Sequence, residues 1–86
     1  MNRLFVDVRE PHEFANDHVD GAINLPVSQV LSGAEVLLDV PRDTELVLYC
    51  ISGSRSNSLT FYMKQLGFTN IVNGINKEQV KQKYGL

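Results

Sequence analysis

The sequence predicts a small α/β fold, in which helices cover a β-sheet. Short apolar runs alternate along the chain with longer segments of helical periodicity, and this alternation is typical of layered α/β structures. The chain has 86 residues, of which 43% are hydrophobic, as expected for one globular domain with a modest core. No repeat, linker or low-complexity tract interrupts the sequence. We therefore expect a single domain over residues 1–86.

The first half of the chain predicts two strands, each followed by a helix. Residues 4–8 form an apolar, β-prone run. Pro11 then begins a short helix, since proline is well tolerated at the first helical position. Residues 22–25 form a second short strand, which Pro26 ends. Apolar side chains at helical spacing follow in residues 27–34, although a glycine near the end weakens this helix.

The second half of the chain predicts two further strands and two further helices. Residues 46–49 are apolar throughout, which suits a strand buried on both faces. The next helix has an apolar face that we expect in the core, formed by Leu59, Tyr62, Met63 and Leu66. Gly67 can take the left-handed conformation that ends a helix. Residues 71–72 form a short strand, after which Asn76 can cap a last helix.

Cys50, the single cysteine of the sequence, lies where a reactive thiol is favoured. It follows the strand predicted at residues 46–49 and precedes a helix, so unpaired backbone N–H groups and the positive end of the helix dipole lie nearby. Both features stabilise a thiolate relative to a thiol. The alternative is a small buried hydrophobe, the commoner role of a lone cysteine. The loop that follows favours the reactive role, because packing alone does not require its glycine, hydroxyls and arginine.

The loop after Cys50 has the composition of an anion-binding cradle. Ser52, Gly53 and Ser54 are small enough for the chain to turn tightly and point its N–H groups inward. Arg55 adds a permanent positive charge that can fold back towards the sulfur. Four residues separate Cys50 from Arg55, which makes a tighter ring than the longer loop with which cysteine phosphatases bind phosphate. The spacing therefore favours one extra sulfur carried on the cysteine.

Composition and charge argue against several classes of function. Eight basic and ten acidic residues give a net charge of −2, so the chain has no overall bias towards nucleic acid. No apolar stretch approaches the roughly 20 residues that span a bilayer. His12 and His18 lie near acidic residues, but no third ligand has a convincing spacing, and we expect no metal and no cofactor. The lone cysteine and the missing signal-peptide pattern predict a cytoplasmic location, although a processed periplasmic form would look the same.

Two motifs resemble the rhodanese family of sulfurtransferases. The first is DVREPHEF at residues 7–14, continued by HVDGAINLP at residues 18–26. The second is CISGSRS at residues 50–56, which is similar to the active-site loop of the family. The two motifs occur in the order and separation of the family, and from residue 7 to residue 56 they span more than half of the chain. The short chain resembles the single-domain members of the phage-shock-protein-E type.

The resemblance implies a parallel sheet of about five strands flanked by helices, and transfer of sulfane sulfur through a cysteine persulfide. Cys50 would carry the sulfur, and the N–H groups of residues 51–55 would surround it. The implied anion-binding loop consists of Ile51, Ser52, Gly53, Ser54, Arg55 and Ser56. Asp7 and Arg9, at the end of the first strand, would brace this loop, with a structural ion pair as the equally weighted alternative. Implied partners are a small sulfur-containing anion such as thiosulfate, and a sulfur-donor or sulfur-acceptor protein.

The sequence departs from the family pattern at positions that bear on substrate capture. Ile51 stands where the family often has a basic residue, so Arg55 is the only cation of the loop and we expect weak thiosulfate binding. Asn73-Gly74 stands where the family usually has Gly-Gly, and the downstream Trp is missing. Two alternative functions stay open: a non-catalytic interaction module, and a cysteine phosphatase or arsenate reductase. The first typically loses the cysteine or the loop glycine, and the loop spacing disfavours the second.

Overall fold

A computed structural model describes residues 2–86 and shows the predicted α/β arrangement. Four strands form one parallel sheet in the order β2-β1-β3-β4. The strands are β1 (Arg3–Asp7), β2 (Ile23–Asn24), β3 (Glu45–Cys50) and β4 (Asn70–Asn76). The helices are α1 (Pro11–Asn16), α2 (Val27–Leu31), α3 (Ser54–Gln65) and α4 (Lys77–Tyr84), with a 3₁₀ turn at Glu35–Leu37. Within residues 2–86 the sheet thus has four strands, against the expected number of about five. Met1, the first residue of the predicted domain, lies outside the described residues.

Strand β3 lies inside the sheet and is buried on both faces, as its apolar sequence predicts. On one face, Leu46, Leu48 and Cys50 join a core cluster that includes Leu59 and Met63 of α3. On the other face, a second buried cluster contains Val47 and Tyr49 of β3, Val19, and Val80 of α4. The nucleophile candidate is therefore attached to an inner strand that is buried on both faces. None of the helices in residues 2–86 is long and apolar enough to cross a bilayer.

Several local signals act as the sequence predicts. Pro11 is the first residue of α1, and the Glu13 carboxylate accepts a hydrogen bond from the Glu10 backbone N–H at 2.8 Å. Asn76 caps α4, since its Oδ1 accepts from the Gln79 N–H at 2.9 Å. Gly67, after α3, has the expected left-handed φ of 99°. Local chemistry thus determines where these helices begin and end.

Three details differ from the sequence-based expectations. Leu59 and Met63 are buried, but Tyr62 is 40% exposed, because it lies at the edge of α3 beside α2 rather than over the sheet. Helix α2 ends at Leu31, since Gly33 and Ala34 both take positive φ values. Strand β4 spans seven residues instead of two, and its register against β3 shifts between Leu48 and Tyr49. That irregularity lies next to the Cys50 loop.

Candidate active site

Cys50 lies at the carboxyl end of β3, and residues 51–53 lead directly into α3. Its side chain is buried, with only 2% of the residue exposed. Gly53, the residue before α3, has a φ of 89°, which favours glycine. A Cβ on Gly53 would also lie 3.1 Å from Ile75 Cγ2 and 3.4 Å from Ile75 Cα. The tight turn around the sulfur therefore requires glycine at this position.

Hydrogen-bond donors surround the Cys50 sulfur. The Gly53 N–H donates to Sγ at 3.2 Å, and the Ser56 hydroxyl oxygen lies 3.5 Å from Sγ. Burial opposes ionisation, but hydrogen bonds from the Ser56 hydroxyl and from the backbone N–H groups of Ser56, Gly53 and Arg55 outweigh it and lower the pKa of Cys50 below its ordinary value. The Ser54 N–H instead donates to Ser52 Oγ at 3.4 Å. The loop therefore favours a thiolate without a histidine.

Arg55 lies at the rim of this loop and has two negative neighbours. Its Nη1 and Nη2 donate to Glu13 Oε1 and Oε2 at 2.9 and 3.3 Å, and this pairing raises the pKa of Arg55. The thiolate form of Cys50 contributes to the same rise. The same contact stabilises the ionised form of Glu13. The hydrogen bond from Arg55, followed by that from the Glu10 backbone, lowers the pKa of Glu13 to about 2. The loop cation is therefore partly neutralised before any substrate binds.

Sequence reasoning did not identify Glu13 as part of the site. Glu13 and Arg55 are 42 residues apart, so no local pattern joins them. One signal was available: α1 follows β1 and α3 follows β3, and β1 and β3 are adjacent parallel strands. The carboxyl ends of adjacent parallel strands lie at one edge of the sheet, so charged residues in the helices that follow can meet there.

Asp7 and Arg9 form a buried ion pair. Arg9 Nη2 donates to Asp7 Oδ2 at 2.6 Å, and Arg9 Nε donates to Asp7 Oδ1 at 2.9 Å. Arg9 Nη2 also donates to the Asp17 carbonyl oxygen at 2.5 Å, and its guanidinium lies 5.7 Å from the Tyr49 ring centroid. These contacts fix the segment after β1 and support the ion-pair interpretation. Bracing of the 50–56 loop by this pair stays a prediction.

An apolar groove adjoins the Arg55 side of the loop. It has a volume of about 340 Å³ and lies between α2 and α3. Its apolar lining consists of Val27 and Leu31 of α2 and Leu59 and Tyr62 of α3, and its polar lining of Ser54, Arg55 and Ser58. Ile51, on the loop itself, is 59% exposed. The surroundings of the thiol therefore combine one paired cation with several apolar side chains.

Comparisons with known proteins identify the family of the chain. The family model of the rhodanese-like domain matches residues 1–76. The chain is 42% identical over 67 residues to the probable adenylyltransferase/sulfurtransferase MoeZ of Mycobacterium tuberculosis, covering 78% of this chain and 17% of that protein. It is 32% identical over 69 residues to the thiosulfate sulfurtransferase PspE of Escherichia coli, covering 80% of this chain and 65% of that protein. The chain thus spans less than two thirds of either relative.

A solved structure shares the fold over nearly its whole length. A structure described as a rhodanese with anions from E. coli superposes with a TM-score of 0.78 and 25% sequence identity, covering 90% of this chain and 89% of that one. The human single-domain sulfurtransferase TSTD1 superposes with a TM-score of 0.74 and 26% sequence identity, covering 94% of this chain and 83% of that one. Sulfurtransferases are thus present among both the sequence relatives and the structural neighbours of the protein. The match of the family model over most of the chain shows that the protein belongs to the rhodanese-like domain family.

Proposed function

We propose that this protein is a sulfurtransferase that carries sulfane sulfur as a persulfide of Cys50. The observation that carries the proposal is the buried Cys50 sulfur, which is held among backbone N–H groups and has a lowered pKa. A thiolate is the reactive form of cysteine, and the loop stabilises it before a donor arrives. The sulfurtransferases among its relatives support the same class of reaction.

The reaction has two balanced displacement steps at sulfur. The Cys50 thiolate attacks the outer sulfur of thiosulfate, a new S–S bond forms, and sulfite leaves with the electron pair of the bond that breaks. In the second step, cyanide or a thiolate attacks the outer sulfur of the persulfide and restores the Cys50 thiolate. The N–H groups of the loop would stabilise the negative charge on the persulfide, as backbone donors do in oxyanion sites. Each step transfers one sulfur atom and consumes no cofactor.

The surroundings of Cys50 favour a donor with less charge than thiosulfate. Thiosulfate is a dianion, whereas Arg55 is already paired with Glu13, and Ile51 adds no charge. Exposed apolar side chains beside the loop suit an organic persulfide or the persulfide of a partner protein. We therefore propose thiosulfate as a usable donor and a persulfide as the better one, with a thiol or cyanide as the acceptor.

Intact-mass spectrometry after exposure to thiosulfate tests the mechanism directly. We expect a mass increase of one sulfur atom that dithiothreitol removes, and no such increase in the Cys50→Ser variant. Because Cys50 is the only cysteine, the added sulfur can be assigned without fragmentation. A Ser32→Ala variant, changed at an exposed hydroxyl after α2 and outside the Cys50 loop, should still take up sulfur. Sulfur transfer by the Cys50→Ser protein at a rate close to that of the parent would refute the covalent mechanism.

We also propose a reducing compartment, the cytoplasm, as the place of action. A reducing compartment is where a single reactive thiol, which has no second cysteine to pair with in this chain, is kept in its reduced form. Fractionation of cells that express the native gene tests this proposal. Recovery of the protein in the periplasmic fraction would overturn it.

A further inference from the structure

The Ser56 hydroxyl has one proton and three possible acceptors. Its Oγ lies 2.6 Å from Asn73 Oδ1, 3.2 Å from the Gly53 carbonyl oxygen and 3.5 Å from Cys50 Sγ. Ser56 is completely buried, so water does not supply alternative partners. The destination of this single proton therefore determines whether Ser56 can donate to the sulfur.

Two of the neighbouring groups can be assigned from their partners. The Ile75 backbone N–H, which can only donate, points at the Asn73 side chain at 3.1 Å, and the Gly53 carbonyl, which can only accept, lies 3.2 Å from its other end. These contacts fix the amide orientation and place Oδ1 against Ser56. The Gly53 oxygen already accepts from the Asn57 N–H at 2.9 Å and from Asn73 Nδ2, which fills both of its lone pairs. The Ser56 proton thus belongs on Asn73 Oδ1, its shortest contact.

We propose that Asn73 is a positioning residue for Cys50, acting through Ser56: its amide oxygen competes with the sulfur for the Ser56 hydroxyl proton. With Cys50 as a thiol, S–H donates to Ser56 Oγ and Ser56 O–H donates to Asn73, so all partners are satisfied. With Cys50 as a thiolate, the hydroxyl must turn to the sulfur and leave Asn73 Oδ1 with one donor. Asn73 therefore holds back ionisation of Cys50. This inference rests on the proposed function for its consequence in sulfur transfer.

The consequence concerns how reactive the thiolate is once formed. The nucleophilicity of a thiolate falls as the pKa of its thiol falls, and the best attacking thiol has a pKa near the ambient pH. A loop with N–H donors and a freely turning Ser56 would stabilise the thiolate strongly. By engaging Ser56, Asn73 keeps the sulfur more basic, so each thiolate that forms is a stronger nucleophile towards a sulfur donor.

The charged groups around Cys50 do not change in the variants that test this idea. Arg55 is the charged side chain that interacts with the sulfur, and Glu13 of α1 pairs with it. On β1, Asp7 is held in its ion pair with Arg9. Strand β4 supplies neutral amides, with Asn73 near Ser56 and Asn76 as the register partner of Cys50. A shift in Cys50 ionisation on changing Asn73 or Ser56 therefore does not require loss of a charge.

The pH dependence of alkylation by iodoacetamide, followed by intact mass, measures Cys50 ionisation without any sulfur donor. We expect Asn73→Ala to lower the midpoint pH by about one unit, which is about tenfold more thiolate at pH values below the midpoint. Ser56→Ala should raise the midpoint. In the Ser56→Ala background, Asn73→Ala should shift the midpoint pH by less than a third of the shift that it causes in the parent. Asn57→Ala, the same change at an exposed residue of α3, serves as the control and should leave the midpoint unchanged.

The double-mutant cycle separates the proton competition from simple loosening of the loop. Loss of the contacts from Asn73 to Ile75 and Gly53 would change the midpoint pH equally with and without the Ser56 hydroxyl. Equal midpoint shifts in the two backgrounds would therefore overturn the proposal. No shift, or a rise in the midpoint on Asn73→Ala, would overturn it as well. Asn73→Val, which also lacks the amide oxygen but favours a strand, replaces Asn73→Ala in the cycle if the alanine variant unfolds. Because alkylation needs no sulfur donor, failure of the proposed sulfurtransferase activity would be seen separately.

Discussion

The guanidinium of Arg55 interacts with both the carboxylate of Glu13 and the sulfur of Cys50. A donor with an anionic end must compete with Glu13 for this cation. Loss of the Arg55 side chain should therefore weaken the binding of such a donor. We expect Arg55→Ala to lower kcat/KM for thiosulfate by roughly 10- to 150-fold, from loss of a charged hydrogen bond of about 1.5–3 kcal/mol. Steady-state kinetics measure this, with Lys64→Ala, an exposed cation at the far end of α3, as the control. An unchanged kcat/KM would mean that Arg55 serves only its pair with Glu13.

Ile51 is the second residue of the loop that bears on anion binding, because it adds no positive charge. Its side chain is 59% exposed directly beside the nucleophile, so a cation there could reach a bound anion. We expect the parent protein to have a high KM for thiosulfate and Ile51→Arg to lower it by up to about tenfold, the equivalent of about 1.4 kcal/mol. The gain should shrink as salt rises, because charges at the surface are screened over about 10 Å at 0.1 M.

Val36→Arg provides the control for Ile51→Arg, because it adds the same charge at an exposed position on the 3₁₀ turn. It should leave the KM unchanged if the effect is local to the loop. A micromolar KM in the parent, or no response to Ile51→Arg at low salt, would contradict the argument that charge limits thiosulfate binding.

Strand β4 and helix α4 meet so closely at Gly74 that a methyl group does not fit. A Cβ there would lie 2.6 Å from Val80 Cγ2, 3.1 Å from Val47 Cγ1 and 3.2 Å from the Leu48 carbonyl oxygen. We expect Gly74→Ala to lower the free energy of unfolding by about 1–3 kcal/mol, as overpacking does. Urea denaturation measures the loss. In a Val80→Ala background, where the nearest methyl group is gone, the cost of Gly74→Ala should be smaller; equal costs would contradict the steric explanation.

Elements whose signals are local could be predicted from the sequence, and those that depend on distant partners could not. The apolar run that ends at Tyr49, the proline of α1 and the Asn76 cap each act within a few residues of themselves. The length of β4 depends on pairing with β3, which its own polar residues do not reveal. Tyr62 has the spacing of a core residue, but it lines the groove between α2 and α3 and stays 40% exposed.

At the scale of the whole molecule, the candidate site is assembled from segments far apart in the chain. Cys50, Gly53 and Arg55 could be predicted because they share one short loop. Glu13 and Asn73 could not, because each reaches the loop only through the order of strands in the sheet. The predicted residues thus supply the candidate nucleophile and its N–H donors, whereas Glu13 pairs with the nearby cation and Asn73 with the Ser56 hydroxyl.

The pair of Glu13 and Arg55 also joins α1 to α3, so it should contribute to the acid stability of the whole fold. The hydrogen bond from Arg55 lowers the pKa of Glu13 to about 2, whereas an unfolded chain has a glutamate pKa of about 4.3. The stabilisation is therefore fully present above about pH 5 and is lost as the pH falls towards 2. We expect Glu13→Gln to reduce the free energy of unfolding at pH 7 by about 0.2–1 kcal/mol, the range of partly exposed ion pairs. Urea denaturation at several pH values should show the parent and the variant converging near pH 2, with a smaller pH-dependent difference in the Arg55→Ala background. A difference that stays constant from pH 7 to pH 2 would show that ionised Glu13 does not stabilise the fold.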